Sequence, residues 1–173
     1  MGDEVEVLGQ GRFLKLVRRR GWELAERRGV RAIVVLVAVT PGGELLLVEQ
    51  HREAVESAVL ELPAGLVGDE DGNADESLEQ AASRELLEET GWQARSWERL
   101  SAGPPSSGLS SEVVTLLRAR DLERRGAGGG AGDERITVHE VPLAAVADWL
   151  RAREASGTLV DPKVWAGLWF AER

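Results

Sequence analysis

Cysteine is absent from the 173 residues. That excludes disulfides, thiolate zinc sites and cysteine nucleophiles, and it agrees with a reducing cytoplasm, the expected compartment. Long apolar runs are absent too. The longest, residues 32–40, is too short to cross a bilayer, and its β-branched residues suit a buried strand. Residues 1–10 are acidic and mixed in character, unlike a secretory leader, so no membrane partner is expected. There is no internal repeat and no proline-rich linker, which makes one domain the default. Nor is there a basic excess. A net charge of −9 argues against nucleic acid as a general partner, because phosphate contact needs a cationic surface.

What is present fits a soluble globular chain, with 43% hydrophobic and 29% charged residues. The charges are unevenly placed. Arg12, Arg18, Arg19, Arg20, Arg27, Arg28 and Arg31 crowd the first third, whereas acids crowd residues 69–89. An acidic cluster repels a phosphate-bearing substrate unless a divalent ion bridges the two, so the pattern points to metal before any motif is considered.

Residues 13–20 and 22–27 read as a hairpin around Arg20-Gly21. Residues 32–40 and 44–50 read as a second strand pair, joined at Pro41-Gly42-Gly43. Glu61-Leu62-Pro63-Ala64-Gly65 is extended and leads into a polar loop over 67–75. A helix is expected over 77–90, capped by Asp75 or Ser77 and ended by Gly91 in the left-handed conformation. Strands follow at 97–102, 113–119 and 135–141, and two helices at 143–155 and 162–172 close a mixed α/β (α+β) pattern. The glycine-rich stretch 126–132 lacks a Gly-Lys-Ser/Thr ending, so it reads as a mobile loop rather than a phosphate-binding one.

Positions three and four apart share a helix face, so Glu85, Glu88 and Glu89 are expected to project together. Two readings follow. A hard cation such as Mg²⁺ relieves the repulsion, because it takes carboxylate oxygens and fills its other sites with water and phosphate. Alternatively the run is a solvated acidic face paired with Arg84 and its neighbours. A calcium loop counted from Asp69 fails, since Ala74 and Gln80 stand where glycine and a bidentate Glu are needed.

Arg84-Glu85-Leu86-Leu87-Glu88-Glu89-Thr90-Gly91-Trp92, with Glu76 at the required spacing upstream, resembles the catalytic box of the Nudix hydrolases. Ten residues separate Gly65 from Glu76, where the family's pattern has five. This reads as a five-residue insertion in a loop, where added length is thermodynamically cheap. The resemblance implies a Nudix fold, a mixed β-sheet sandwiched between helices, with an N-terminal β-hairpin exchanged between subunits of a homodimer. It divides the chain into a segment 1–30 for dimerisation and base recognition and a hydrolase domain 31–173. It also implies Mg²⁺, with Mn²⁺ as the alternative, held by Glu85, Glu88, Glu89 and the Ala64 carbonyl, with Gly65, Glu76, Arg84 and Gly91 as structural members of the motif.

Val48-Glu49-Gln50-His51-Arg52 followed by Glu61-Leu62-Pro63-Ala64-Gly65 is similar to the ADP-ribose and ADP-sugar pyrophosphatase branch, with His51 replacing the usual aromatic. In that branch Arg52 would contact substrate phosphate and Glu61 a metal-bound water or a ribose hydroxyl. Gly21-Trp22-Glu23 resembles the segment that presents a tryptophan to adenine, so Trp22 either stacks on the base, in its own or its partner's site, or covers core at a strand edge. In Ser107-Gly108-Leu109-Ser110-Ser111-Glu112, serine stands where the branch usually has proline; Glu112 either reaches substrate or caps the next strand. Glu134 matches the late catalytic glutamate and is the expected general base, with Glu85 or Glu88 as the substitute; its bland reading is a charged strand start. His139 is expected to be structural.

The resemblance implies hydrolysis of a nucleoside diphosphate linked to X, with ADP-ribose or another ADP-sugar as the nucleotide-sugar substrate. The alternatives are another nucleotide (GDP-mannose, NADH or a diadenosine polyphosphate) and a non-catalytic nucleotide-sensing module.

Overall fold

Both faces of the strand Ala32–Val37 are covered: Val34, Val35, Leu36 and Val37 are all buried although successive side chains point to opposite sides. That pattern requires a layer on each face of the sheet, and the computed structural model, which describes residues 5–68, 75–132 and 135–173, has this architecture. Its strands before the first helix are β1 (Val5–Gln10), β2 (Leu14–Arg19), β3 (Trp22–Arg27), β4 (Ala32–Val37), β5 (Glu44–Arg52), β6 (Ser57–Glu61) and β7 (Ala64–Val67). Helix α1 (Leu78–Thr90) is followed by β8 (Trp92–Gln93), β9 (Ser96–Gly103), β10 (Val114–Arg120), β11 (Glu123–Arg124) and β12 (Ile136–Pro142). A 3-10 turn at Leu143–Ala145 leads to α2 (Val146–Ala155), β13 (Leu159–Val160) and α3 (Pro162–Ala171).

Two four-stranded sheets form the middle layer, in the orders β7-β4-β10-β9 and β12-β5-β6-β13, and β8 pairs with β11 separately. Val34, Leu36 and Leu46 pack with Ala81, Ala82 and Leu86 of α1. Val35, Val37, Leu45, Leu47 and Leu60 pack on the other side with Leu150 of α2 and Val164 and Leu168 of α3. Each fully buried leucine or valine contributes about 1.5–3 kcal/mol relative to exposure. The expected sheet between helices is therefore present.

The hairpin expected at Arg20-Gly21 also forms. Arg20 and Gly21 both have positive φ, 52° and 85°, as a two-residue hairpin turn requires, and β2 and β3 pair from Leu14↔Arg27 to Arg19↔Trp22. β1, unforeseen from the pattern, completes an antiparallel three-stranded sheet. Two of the early arginines form ion pairs within this sheet: Arg18 reaches Glu6 at 2.8 Å and Glu23 at 3.0 Å, and Arg19 reaches Glu26 at 2.7 Å. This sheet is stapled to the body by a bridge between Ala25 and Ser110, with Ala25 N–H donating to the Leu109 carbonyl at 2.8 Å.

The second expected pair needs correction. β4 and β5 start as a hairpin, with Val39 opposite Leu45 and Leu46 N–H on the Ala38 carbonyl at 2.9 Å. They then part into different sheets. β4 pairs with β7 and, in parallel, with β10; β5 pairs with β6 and β12. The turn forms where its residues predict, with Gly43 at φ 82°, but long-range partners take over the strands beyond it.

Candidate active site

Helix α1 is defined at both ends by local chemistry. Ser77, rather than Asp75, is its N-cap: the hydroxyl accepts from Gln80 N–H at 3.1 Å and the Gln80 carboxamide accepts from Ser77 N–H at 2.8 Å. Gly91, at φ 75°, ends the helix, and its N–H bonds the Leu87 carbonyl at 2.9 Å. The next orphan carbonyls are met by the glycine-rich segment. Gly130 N–H donates to Glu88 O at 3.0 Å and Gly129 N–H to Glu89 O at 2.8 Å. A Cβ at Gly128, which has φ 71°, would overlap the Thr90 backbone. The expectation of a free loop is thus corrected over its described part, which clamps the end of α1. Asp133 and Glu134, which follow that stretch, lie outside the described residues, and so do residues 69–74 of the 67–75 loop in which the insertion is expected.

Glu76 and Arg84 form an ion pair in which the glutamate is buried and the arginine half-buried. Arg84 donates to Glu76 at 3.1 and 3.3 Å and to the Leu66 carbonyl at 3.1 Å, while Gly68 N–H donates to Glu76 at 3.0 Å. Arg31 holds the Glu76 carbonyl. Burial by itself raises the Glu76 pKa, but the Arg84 and Gly68 hydrogen bonds and the charges of Arg84 and Arg31 outweigh it and hold the carboxyl below its ordinary value. Burial likewise opposes the Arg84 charge, and Glu76 and Glu85 overcome it, raising the guanidinium pKa.

The three glutamates do not stand as one open cluster. Glu85 accepts from Arg84 at 2.8 Å and lies over Gly65, where any Cβ would overlap its carboxyl. Glu89 is 5% exposed, turned inward to accept the Ala64 N–H at 3.0 Å. Glu88 is the more exposed of the set, 3.6 Å from Arg84. Among the described residues no three His, Asp or Glu side chains converge as a closed cation cage. Arg84 and the Ala64 amide draw two of the carboxylates toward the protein. The donors present are all hard oxygens on one helix turn facing the Ala64-Gly65 strand, and that chemistry fits a divalent ion completed by water and phosphate.

A cleft of about 590 Å³ opens beside this helix face. It brings together Arg52, Glu61, Ala64, Gly65, Glu85, Glu89 and Glu112, all singled out from sequence. Arg52 donates to Glu61 at 2.7 Å, and Glu112 accepts from Arg27 at 2.6 Å. Arg27, Gln50, Asp161 and Lys163 also line it. Sequence reasoning missed these four; for Gln50 the period-two alternation with Arg52 on β5 could have found it, whereas the others depend on tertiary pairing. Trp22 is not in this cleft. It is 70% exposed and lines a separate cavity of about 720 Å³ with Arg19, Arg20, Ser107 and Gly108. His139 does not line this cleft; it is bonded to Glu49 at 2.9 Å, which also takes Arg153 at 2.6 and 2.7 Å.

Comparison with known proteins agrees with this architecture. The NUDIX domain family model matches residues 28–161. The chain is 29% identical to the methanol dehydrogenase activator of Bacillus methanolicus over 157 residues, covering 87% of this chain and 82% of that protein. It is 31% identical to the ADP-ribose pyrophosphatase of Mycobacterium tuberculosis over 167 residues, covering 96% of this chain and 72% of the relative. A crystal structure of an ADP compounds hydrolase superposes with a TM-score of 0.67 at 25% identity, covering 86% of this chain and 80% of the other. Among the described residues no helix is long and apolar enough to cross a membrane. With a family model spanning most of its length and a sheet between helices presenting a carboxylate-bearing helix to a cleft, the chain belongs to the Nudix family and is a hydrolase of phosphorus-containing anhydrides.

Proposed function

We propose that this enzyme hydrolyses the diphosphate of an ADP-sugar, with ADP-ribose as the leading substrate, giving AMP and ribose 5-phosphate. The observation that carries the reading is the cleft itself, which sets the Glu85 and Glu89 carboxylates and the Ala64-Gly65 strand against the guanidinium groups of Arg27 and Arg52. Carboxylates for a cation and cations for phosphate in one cavity suit a diphosphate–metal complex. The names of the relatives, an ADP-ribose pyrophosphatase and an ADP compounds hydrolase, support the choice of nucleotide.

Glu85, Glu88, Glu89 and the Ala64 carbonyl would hold Mg²⁺, with Mn²⁺ as the substitute, and such an ion neutralises the diphosphate and acidifies the attacking water. The water oxygen bonds to one phosphorus, the bridging P–O bond breaks, and the bridging oxygen leaves with the other phosphate. The water's proton goes to Glu134, or to Glu85 or Glu88 in its place. Arg52 binds phosphate, Glu61 and Glu112 accept ribose hydroxyls or bound water, and Arg84 positions Glu85 by ion pairing. Trp22 stacks on the adenine. Its exposure and the distance from Trp22 to Arg27, roughly 16 Å along β3, are compatible with a base bound at the hairpin and a diphosphate in a cleft. Residues 1–30 would serve base recognition and homodimer formation, and 31–173 catalysis, in the reducing cytoplasm suited to a cysteine-free chain.

The test is hydrolysis of a panel of nucleoside diphosphate compounds with Mg²⁺, alongside Glu88→Gln and Glu89→Gln. The expected result is ADP-ribose cleavage to AMP, reduced by at least about 10²-fold in both variants, as for loss of a preorganised electrostatic group. Wild type as inert as the variants on every compound would remove the enzyme reading; preference for a GDP-sugar or dinucleoside polyphosphate would remove the ADP-sugar assignment alone. Equilibrium sedimentation tests the dimer, and a monomer at micromolar concentration refutes it.

A further inference from the structure

β13 is only two residues long, yet it pairs in parallel with β6 and places Asp161 beside the strand that carries Glu61. Asp161 N–H donates to the Leu60 carbonyl at 2.9 Å. Its carboxylate caps α3 by accepting Lys163 N–H at 2.7 Å, and its other oxygen holds the Lys163 ammonium. Both side chains open onto the cleft that contains Glu85 and Arg52.

The described cations of that cleft are therefore each matched with a carboxylate: Arg27 with Glu112 at 2.6 Å, Arg52 with Glu61 at 2.7 Å, and Lys163 with Asp161. A cation that leaves its carboxylate meets a polyanionic substrate with its full charge, whereas one that stays paired meets it with the charge already offset. Arg52 offers Nε and Nη2 to one Glu61 oxygen and would have to reorient a planar fork. Lys163 carries a point charge on a flexible stem and can turn to a phosphate without such reorientation. The carboxylate it leaves is an acceptor that suits hydroxyl donors. A cation next to a released carboxylate is thus complementary to a sugar phosphate, whose phosphate and hydroxyls are neighbours.

Position selects which half of the substrate is met. Arg27 ends the strand that begins at Trp22, and its partner Glu112 follows Ser110, where the N-terminal sheet is stapled to the body. Asp161 and Lys163 come instead from the other sheet: Asp161 follows β13, the edge strand of the β12-β5-β6-β13 sheet, and Lys163 lies in the first turn of α3. Resting on the ADP-sugar reading above, we propose that Asp161 and Lys163 form the subsite for the sugar phosphate half: Lys163 moves from Asp161 to the distal phosphate, and Asp161 accepts the sugar hydroxyls.

The experiment uses the full chain with Mg²⁺ and two substrates, ADP-ribose and the β-methyl ester of ADP, which keeps nucleotide and diphosphate but has no sugar beyond them. Asp161→Asn removes the charge and keeps a competent N-cap, because asparagine caps about as well as aspartate. Lys163→Met keeps the apolar stem. Expected for Asp161→Asn is a KM for ADP-ribose raised about 10-fold or more, the size of a lost charge-assisted hydrogen bond, with kcat within about twofold and the methyl ester affected less than about threefold. Lys163→Met should raise KM for both substrates by about 10-fold. Wild-type activity on ADP-ribose with both variants unchanged overturns this proposal alone, as does an Asp161→Asn loss of equal size on both substrates at an unchanged melting temperature. Wild-type inactivity on every nucleoside diphosphate overturns the hydrolase reading, and this proposal with it.

Discussion

Replacing Gly65 with alanine would place a methyl group on the atoms of the Glu85 side chain, from Cγ to Oε1. Those atoms are the far end of a flexible side chain, so the glutamate yields and the backbone stays. Two consequences separate. Turning away, Glu85 gives up its 2.8 Å bond to Arg84 in a site where its side chain is only 13% exposed. Overpacking and the weakened ion pair together cost about 1–3 kcal/mol, read as a fall in melting temperature of about 2–4 °C per kcal/mol for a chain of this size. Catalysis should suffer more: if Glu85 holds the metal as proposed, displacing its carboxylate by about 1 Å lowers kcat/KM on the order of 10²-fold. Thermal denaturation followed by circular dichroism and Mg²⁺-dependent release of AMP measure the two effects independently. The double variant Gly65→Ala with Glu85→Ala closes a cycle, because the clash then disappears: part of the stability lost in Gly65→Ala should return while activity stays low. Wild-type kcat/KM in Gly65→Ala would refute the argument that this glycine is bare to seat Glu85.

Glu76→Gln leaves Arg84 with a neutral partner in a site where the native carboxylate is 6% exposed, and should destabilise by about 3 kcal/mol or more at neutral pH. Because the folded-state pKa of Glu76 is depressed, its contribution is present above the unfolded carboxylate value and is lost as pH falls through the lower folded value. Urea denaturation at a series of pH values should therefore show the wild-type-minus-variant difference shrinking with acidification below the ordinary glutamate range; a difference independent of pH would contradict it. Gly128→Ala forces a Cβ onto the Thr90 backbone at a φ of 71° and should cost about 1–3 kcal/mol. Faster hydrogen exchange at the Gly129 and Gly130 amides would report the clamp opening, and unchanged exchange would show that the segment does not hold α1.

The helix that carries the carboxylates was legible because everything that defines it is local. Ser77 and Gln80 cap one end, Gly91 the other, and the spacing of Glu85, Glu88 and Glu89 follows from the helix repeat. The Arg20-Gly21 turn was legible for the same reason. What the glutamates do with their charge was not, because Arg84 and the Ala64 amide reach them from elsewhere.

By itself, then, the chain determined its family, the carboxylate helix, the layered α/β pattern and the order of its turns, since capping, helical repeat and turn conformation act over a few residues. Tertiary structure alone decided that β4 and β5 part into separate sheets, that the glycine-rich segment caps α1, that Trp22 opens onto a different cavity from Arg52, and that Asp161 and Lys163 join the cleft. Each of these is set by hydrogen bonds between strands and segments far apart in sequence. Asp161 lies 100 residues from Glu61, and only the parallel pairing of β13 with β6 makes them neighbours.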